Sequence, residues 1–513
     1  MIWTIAKKEL LEKLLDFRVV TSFIIGLALA LVTVLVTGED YRVKKAAYDM
    51  AVDDAQEKLR NVKVFSQAQP EIVYPPSPLS VFSGGIDVPA PVVISITLDR
   101  VPRYEETEVA SNPLMRIYDP LDLEIVLQVL FSLLAILLTY DVFAREKEDG
   151  TLRLIMSSSV SRRKLLYGKA LGSLLIVSTA TVMLFGIVLI LMPTVLGITL
   201  SIDDYLRVLL IAVATLLYVS IFAALGTLAS LIFHRSSTSL TASLFIWFFL
   251  SVLQPNLNTY LAAEFSPTPR LDDIRPALDE EYRLFFLKLK LLQAEDSTIL
   301  NNSAKRKFIE GSIQYGPVVM YTPVADADYD VLKSLIRQVQ AYRDIGEAAD
   351  NEWSLYRTVY LSKLDKQLRH KRMLDLLSPA ALLAHATSVF ARTDIDNYED
   401  FLSQAREYRK RWVEYLDSKG IFSTNAQLFF SRLTKDQIDA AATARRIAKY
   451  EKDPDSVPWT QNMEPLDLRD APAFKPKDTA DFSNAILPIF VLILYSAILI
   501  QHAERRLGTY DVR

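Results

Sequence analysis

The residues able to do chemistry in this 513-residue chain are arranged in a way that excludes most enzymatic uses of them. Its four histidines, His234, His370, His385 and His502, never take the paired spacing by which HExxH presents two imidazoles to a metal, so each defaults to a structural role. No GxxxxGK[ST] loop is present to wrap phosphates in backbone amides, and the glycine pair in FSGGID, Phe82 to Asp87, stands alone as a turn. A GxSxG elbow is missing, and no hydrolase triad stands out. The chain has no cysteine, which removes disulfides, thiolate ligands and thiol nucleophiles. What remains is a charged stretch, EKEDGTLRLIMSSSVSRRKLLYGK, Glu146 to Lys169. Gly150 interrupts its charges, and Thr151 is placed to N-cap a short helix on which Leu152, Ile155 and Met156 share a face. Ser161 is placed to cap the next helix, with Arg162, Arg163 and Lys164 at its start. Such a stretch offers grip rather than catalysis: a protein clasping the short helix would move whatever lies on both sides of it. A solvated loop whose charges only set topology is the competing reading.

The elements on either side are apolar. Hydrophobic residues make up 51% of the chain and charged residues 23%, a mixture that predicts membrane spans together with large water-facing parts. Segments of about 20 apolar residues cross a bilayer, and six are expected, at 19–37, 121–140, 165–191, 205–233, 239–255 and 485–501. The fifth is short and ends near Pro255. The first is longer than the apolar part of a signal peptide and lacks a small-residue cleavage site, so it is expected to stay in place. Segments 1–18, 141–169, 234–238 and 502–513 carry a net excess of six positive charges although the whole chain is at −4. The positive-inside rule therefore puts both termini and the 141–164 loop in the cytoplasm. The large polar segments, 38–120 and 256–484, then fall outside. A sequence pI near 5.8 and the lack of any other basic face argue against a nucleic-acid partner.

Residues 1–18 pattern as an amphipathic elbow helix in the membrane interface, or otherwise as a solvated tail. The loop 38–120 begins with a helical pattern over 41–64 and turns β-like at Val92 to Leu98. Asp119 and Pro120 read as an N-cap and first helical residue for the second span. The 256–484 segment has helical periodicity over 272–300, 330–377, 398–418 and 435–452, with a Pro- and Asp-rich return linker over 452–477. Residues 380–390 form a helix lying either at the membrane surface or in a core. Pro488 predicts a kink in the last span. No carboxylate sits in a span centre, so proton coupling through buried acids lacks its residues. Gln128, Ser132, Thr139, Thr241, Ser243 and Ser251 lie in the second and fifth spans, either as glue between helices or as contacts for a passing cargo.

The stretch Glu146 to Lys169 closely resembles the "E-x-x-x-GTL…P-x-S-R…GK" region of ABC-2-type transporter permeases. Glu146, Gly150, Thr151, Leu152, Ser161, Arg162, Gly168 and Lys169 match it, and Ser159 replaces the usual proline. The elbow helix, the tight turn 234–237, the six-span layout, Leu377-Ser378-Pro379 and the terminal Tyr510 to Arg513 extend the likeness to members with a large outer insertion, the DUF3526-like group. The resemblance implies a membrane all-α, six-helix ABC-2 (type V exporter-like) transmembrane domain with a mostly helical extracytoplasmic domain containing a minor β part.

It further implies a catalytically silent permease of the cytoplasmic (inner) membrane that dimerises with a second copy or a paralogue. A separate ABC ATPase dimer would hold Mg-ATP; this chain would bind no cofactor or metal. The ATPase would grip Glu146, Gly150, Thr151, Leu152, Ile155, Met156, Ser161 and Arg162, with His234 and Arg235 as a second contact. Cargo would pass between copies, along the polar residues of spans two and five. Besides the ATPase, partners would be membrane lipids and an envelope protein. Two other functions compete with export: mechanotransmission, in which hydrolysis moves the outer part against an envelope partner and nothing crosses, and a membrane hydrolase acting through the outer domain.

Overall fold

The computed structural model describes residues 2–62, 65, 68–85, 92–103, 122–157, 160–299, 337, 340–422, 465–477 and 482–509. Among these, six helices are long and apolar enough to cross a membrane: Val19–Arg60, Leu123–Glu148, Arg162–Thr194, Ile202–Ile232, Ser236–Phe265 and Ser483–Gly508. The short helix α1 (Ile2–Leu14) precedes α2 (Phe17–Arg60), which contains the first span. The second span is α3 (Leu123–Val126), a wide π turn over Leu127–Phe131, and α4 (Ser132–Thr139). Then come α5 (Ala144–Glu148), α6 (Thr151–Ser157), α7 (Arg162–Thr194) and α8 (Ile202–Ile232). The fifth span is α9 (Ser236–Phe248), a second π turn over Phe249–Leu253, and α10 (Gln254–Phe265); the sixth is helix Ser483–Gly508.

Helix α8 is the central post of the bundle. It packs against α4, α7, α9 and the last span, and fully buries Tyr218 and Phe222. A capping box at Ser201 and Asp204 starts it: the Asp204 amide donates to Ser201 Oγ (3.2 Å) and the Ser201 amide donates back to the Asp204 carboxylate (2.8 Å).

The polar part stands at the end of the bundle away from the termini. It contains α11 (Leu271–Ile299), α12 (Ile345–Tyr356), a third π turn over Arg357–Leu361, α13 (Ser362–Asp375), α14 (Pro379–Ala391) and α15 (Ile395–Ser418). We label the sixth span α16. Strands β1 (Glu71–Val73) and β2 (Val93–Ser95) pair antiparallel. Ile72 of β1 and Ile96, just after β2, join Phe285, Ile345, Leu402 and Trp412 in a core separate from that of the spans.

Several expectations are revised. The helix of the first span does not stop near Gly38: α2 runs unbroken for 44 residues, joining the expected span to the helical pattern over 41–64. Its polar half is held helical by (i, i+4) ion pairs, Lys44 with Asp40 at 2.9 Å and Lys58 with Asp54 at 2.8 Å. Gly38 lets Leu196 pack closely on α2, since a Cβ there would lie 2.3 Å from Leu196 Cδ1 unless that side chain shifted. Asp119 and Pro120 lie outside the described residues; the observed cap of the second span is Asp122, whose carboxylate accepts from the Ile125 amide at 2.9 Å. Pro255 does not end the helix of the fifth span, because it occupies the first turn of α10, where a missing N–H is tolerated after the π turn. Pro488 lies inside continuous α16. Helix α14 is a core element: ten of its thirteen residues are buried, packed on α8 and α16. The expected helix over 435–452 and the residues Ser159 and 510–513 lie outside the described residues.

A candidate coupling site at one end of the bundle

Residues Ala144 to Ser157 form a compact two-helix loop pinned on both sides. Gly150 turns the chain between α5 and α6 with φ +71°, a conformation glycine adopts without penalty. Thr151 is the first residue of α6 rather than its cap, and its hydroxyl donates to the Glu146 carbonyl at 3.3 Å. Ser161 occupies the N-cap position of α7 but makes no side-chain capping bond.

On one side the loop grips the α8–α9 turn. Lys147 Nζ donates to the carbonyls of Ser230 (3.0 Å), Leu231 (2.5 Å) and Phe233 (3.1 Å), so a cation neutralises the negative end of α8. Ser230 Oγ accepts from the amides of Phe143 (2.6 Å) and Ala144 (2.9 Å), and the Glu148 carboxylate accepts from the Ser236 amide at 3.2 Å.

On the other side stands Lys169, buried on α7. Its ammonium lies 2.8 Å from Glu146, 3.4 Å from Glu9 of α1 and 3.2 Å from the Val142 carbonyl. Burial lifts the Glu9 carboxyl above its ordinary range, outweighing the pull of Lys169 and Lys13. Gly168 and Gly172 let α1 lie directly on α7, since a Cβ at Gly168 would meet Ile5 at 2.7 Å and one at Gly172 would meet Ala6 O at 2.8 Å. Arg162 Nη1 donates to the carbonyls of Leu507 (3.2 Å) and Gly508 (2.6 Å) at the end of α16. Arg163 pairs with Glu504.

The structure thus divides the expected contact residues. Leu152 is fully buried in a small core with Phe143, Leu165, Leu231 and Leu507, and Ile155 and Met156 pack on its rim. Glu146 and Arg162 spend their charges within the chain. Gly150, Thr151, Ser161, His234 and Arg235 are exposed. Sequence reasoning missed Leu154, which is 72% exposed and, with Arg153, forms the outward face of α6. An apolar residue off the apolar stripe was the available signal.

The polar residues of spans two and five are mostly internal. Ser132 accepts from Trp247 Nε1 at 2.8 Å and donates to the Gln128 carbonyl; Thr139 donates to Ala135 O at 2.7 Å. Gln128 Nε2 donates to Glu124 at 2.8 Å. Ser251 lies 3.3 Å from the Tyr218 hydroxyl, which also donates to Gln128 O at 2.9 Å, so Tyr218 bridges the π turns of both spans. Ser243 is fully buried, and Thr241 alone of the six is exposed, bonded to Ser237 O at 3.0 Å. Ser378, in the Leu-Ser-Pro segment, caps α14 through the Ala381 amide (3.2 Å) and donates to Leu250 O (3.1 Å) in the second π turn.

A family model described as ABC-2 family transporter protein matches residues 3–395. A probable ABC transporter permease protein NosY from Pseudomonas aeruginosa is 34% identical over 130 residues, which is 24% of this chain. The chain spans 45% of that relative's length. With six membrane-length helices and a match over most of its residues, the chain is an integral membrane protein and belongs to the ABC-2 family of transporter proteins.

Proposed function

We propose that this chain is the permease subunit of an ABC exporter, driven by a separate ATPase that docks on α6. The observation supporting this most directly is the double pinning of the α5–α6 loop. Lys147 ties it to the end of α8, and the Glu146–Lys169 pair ties it to α7 and α1. Force applied at α6 therefore reaches several spans at once. In this reading the termini and α6 face the cytoplasm of the inner membrane, the polar part faces outward, Mg-ATP stays in the partner, and a second copy or paralogue completes the pore.

Leu154 and Arg153 form the docking contact, with Gly150 and Thr151 beside them and His234 and Arg235 at its margin. Leu152, Ile155 and Met156 hold α6 to the bundle. The test is affinity purification of the tagged protein from its native membrane. We expect a stoichiometric P-loop ATPase that is lost in Leu154→Asp while the thermal unfolding midpoint is unchanged. Full retention of the ATPase by both Leu154→Asp and Arg153→Glu would sink this assignment.

Mechanotransmission is the second reading, favoured by a specific observation. Helix α2 carries the first span straight into the polar part, and most polar residues expected to line a path are buried inside one copy. Cargo-stimulated ATP hydrolysis supports export; hydrolysis stimulated only by an envelope protein supports the alternative.

A further inference from the structure

A groove of about 1360 Å³ opens between α12–α13 and α15, larger than a pocket for a drug-sized ligand. Trp353, Leu361, Leu364, Leu368, Ile395 and Phe474 form an apolar strip in an otherwise polar and charged lining, with the Arg406 guanidinium 4.7 Å from the centre of the Trp353 ring. From Asp350 to Leu368 the helical rod is about 27 Å long at 1.5 Å per residue, against about 15 Å for half of a bilayer's hydrocarbon core. The lower end meets the start of the sixth span: Asp396 accepts from Asn484 Nδ2 at 2.9 Å.

Charge in the groove is unbalanced. Asp350 is taken by Arg409 (3.3 Å), Asp396 by Arg372 (2.6 Å) and Glu399 by Arg406 (2.6 Å), and Asp365 pairs with Arg369. Glu407 is the remaining acid. Against it stand Arg357, Lys410, Lys475 and Lys477, exposed and without an ion-pair partner among the described residues. A long groove that rises from the end of a span, carries an apolar strip and is edged by cations unpaired among the described residues suits a ligand with an acyl chain and a negative headgroup.

The geometry points to an acidic phospholipid from the adjoining leaflet as the occupant of this groove. The inference needs only the groove and its place above the sixth span, so its failure leaves the docking of an ATPase on α6 untouched, and the reverse also holds.

Trp353 reports on the site directly. The full chain in zwitterionic detergent is titrated with phosphatidylglycerol bearing brominated acyl chains, and the Trp353→Phe variant is subtracted to isolate quenching of that ring. We expect saturable quenching by this lipid, little by brominated phosphatidylcholine at the same concentration, and affinity weakened about fivefold for each of Arg357→Glu and Lys410→Glu. Both substituted residues are exposed, so the fold is retained. Equal quenching by the two lipids would mean simple detergent-like partition and overturn the proposal. So would absence of any Trp353-specific quenching, or displacement of the lipid by an acidic peptide without an acyl chain at matching concentration, which would make the groove a peptide site.

Discussion

Lys169 is where the α5–α6 loop, the elbow helix and α7 meet. An ammonium buried to this degree is tolerated because two carboxylates and a carbonyl surround it. Replacing it with Met leaves Glu146 and Glu9 facing each other without a counter-charge. Lys169→Met is expected to cost about 3 kcal/mol, seen as a lowered unfolding midpoint in detergent. Glu146→Gln should cost clearly less, since Glu9 still serves the lysine, and a double variant should cost less than the sum. Equal effects from all three would mean the ammonium is not the hub. The sequence motif carried both residues, 23 positions apart, but nothing in that spacing says they touch. Likewise the stripe of Leu152, Ile155 and Met156 was legible, whereas the side on which the bundle lies was not. That is why Leu154, and not Leu152, ends up outside.

Among the elements, the α1–α7 crossing and the start of α15 each make a testable demand. Gly168 and Gly172 sit under α1, while a Cβ at Gly186 of the same helix would meet nothing within 4 Å. Gly172→Ala should therefore destabilise by about 1–3 kcal/mol through overpacking. Gly186→Ala should stabilise by up to about 1 kcal/mol through helix propensity. Identical shifts in the two melting curves would rule out the close crossing.

At α15, burial and the neighbouring Asp396 push the Asp394 carboxyl up to about 6. A carboxyl raised in the folded state contributes stability that is complete below its unfolded pKa and disappears as pH rises through 6. Going from pH 7 to 5 should thus tighten the first turn of α15 by about 1 kcal/mol, read as slower amide exchange, and Asp394→Asn should flatten that response. Helix periodicity disclosed α11 to within one residue at each end, and α15 except for its first three residues. It could not disclose the π turns at Leu127–Phe131 and Phe249–Leu253, which arise where the spans meet Tyr218, nor the burial of α14, whose small apolar residues suit a membrane surface and a core equally.

At the scale of the whole molecule, hydropathy made the six spans legible because length and apolarity alone define them. How the polar part joins them was hidden, since a change from apolar to charged residues near Gly38 looks the same whether a helix stops or continues. It continues, and this bears on the choice between export and mechanotransmission. The 22 residues of α2 beyond Gly38 extend about 33 Å. The far end is fastened by Lys58 to Glu71 of β1 at 3.0 Å and by the Val62 carbonyl to the Leu466 amide at 2.7 Å. A tilt of about 10° at the membrane would move that tip by about 6 Å. The chain has no cysteine, so nitroxide labels can be placed at Asp53→Cys on α2 and Val195→Cys after α7 without background. In the reconstituted complex, mechanotransmission requires the distance between these labels to change by several ångströms with ATP. Inserting two glycines between Gly38 and Glu39 should abolish the change while ATP hydrolysis persists, because the rod is cut but the docking end is intact. A label distance that stays constant through the ATP cycle, with cargo-stimulated hydrolysis unaffected by the insertion, would leave α2 a passive strut and export the better account.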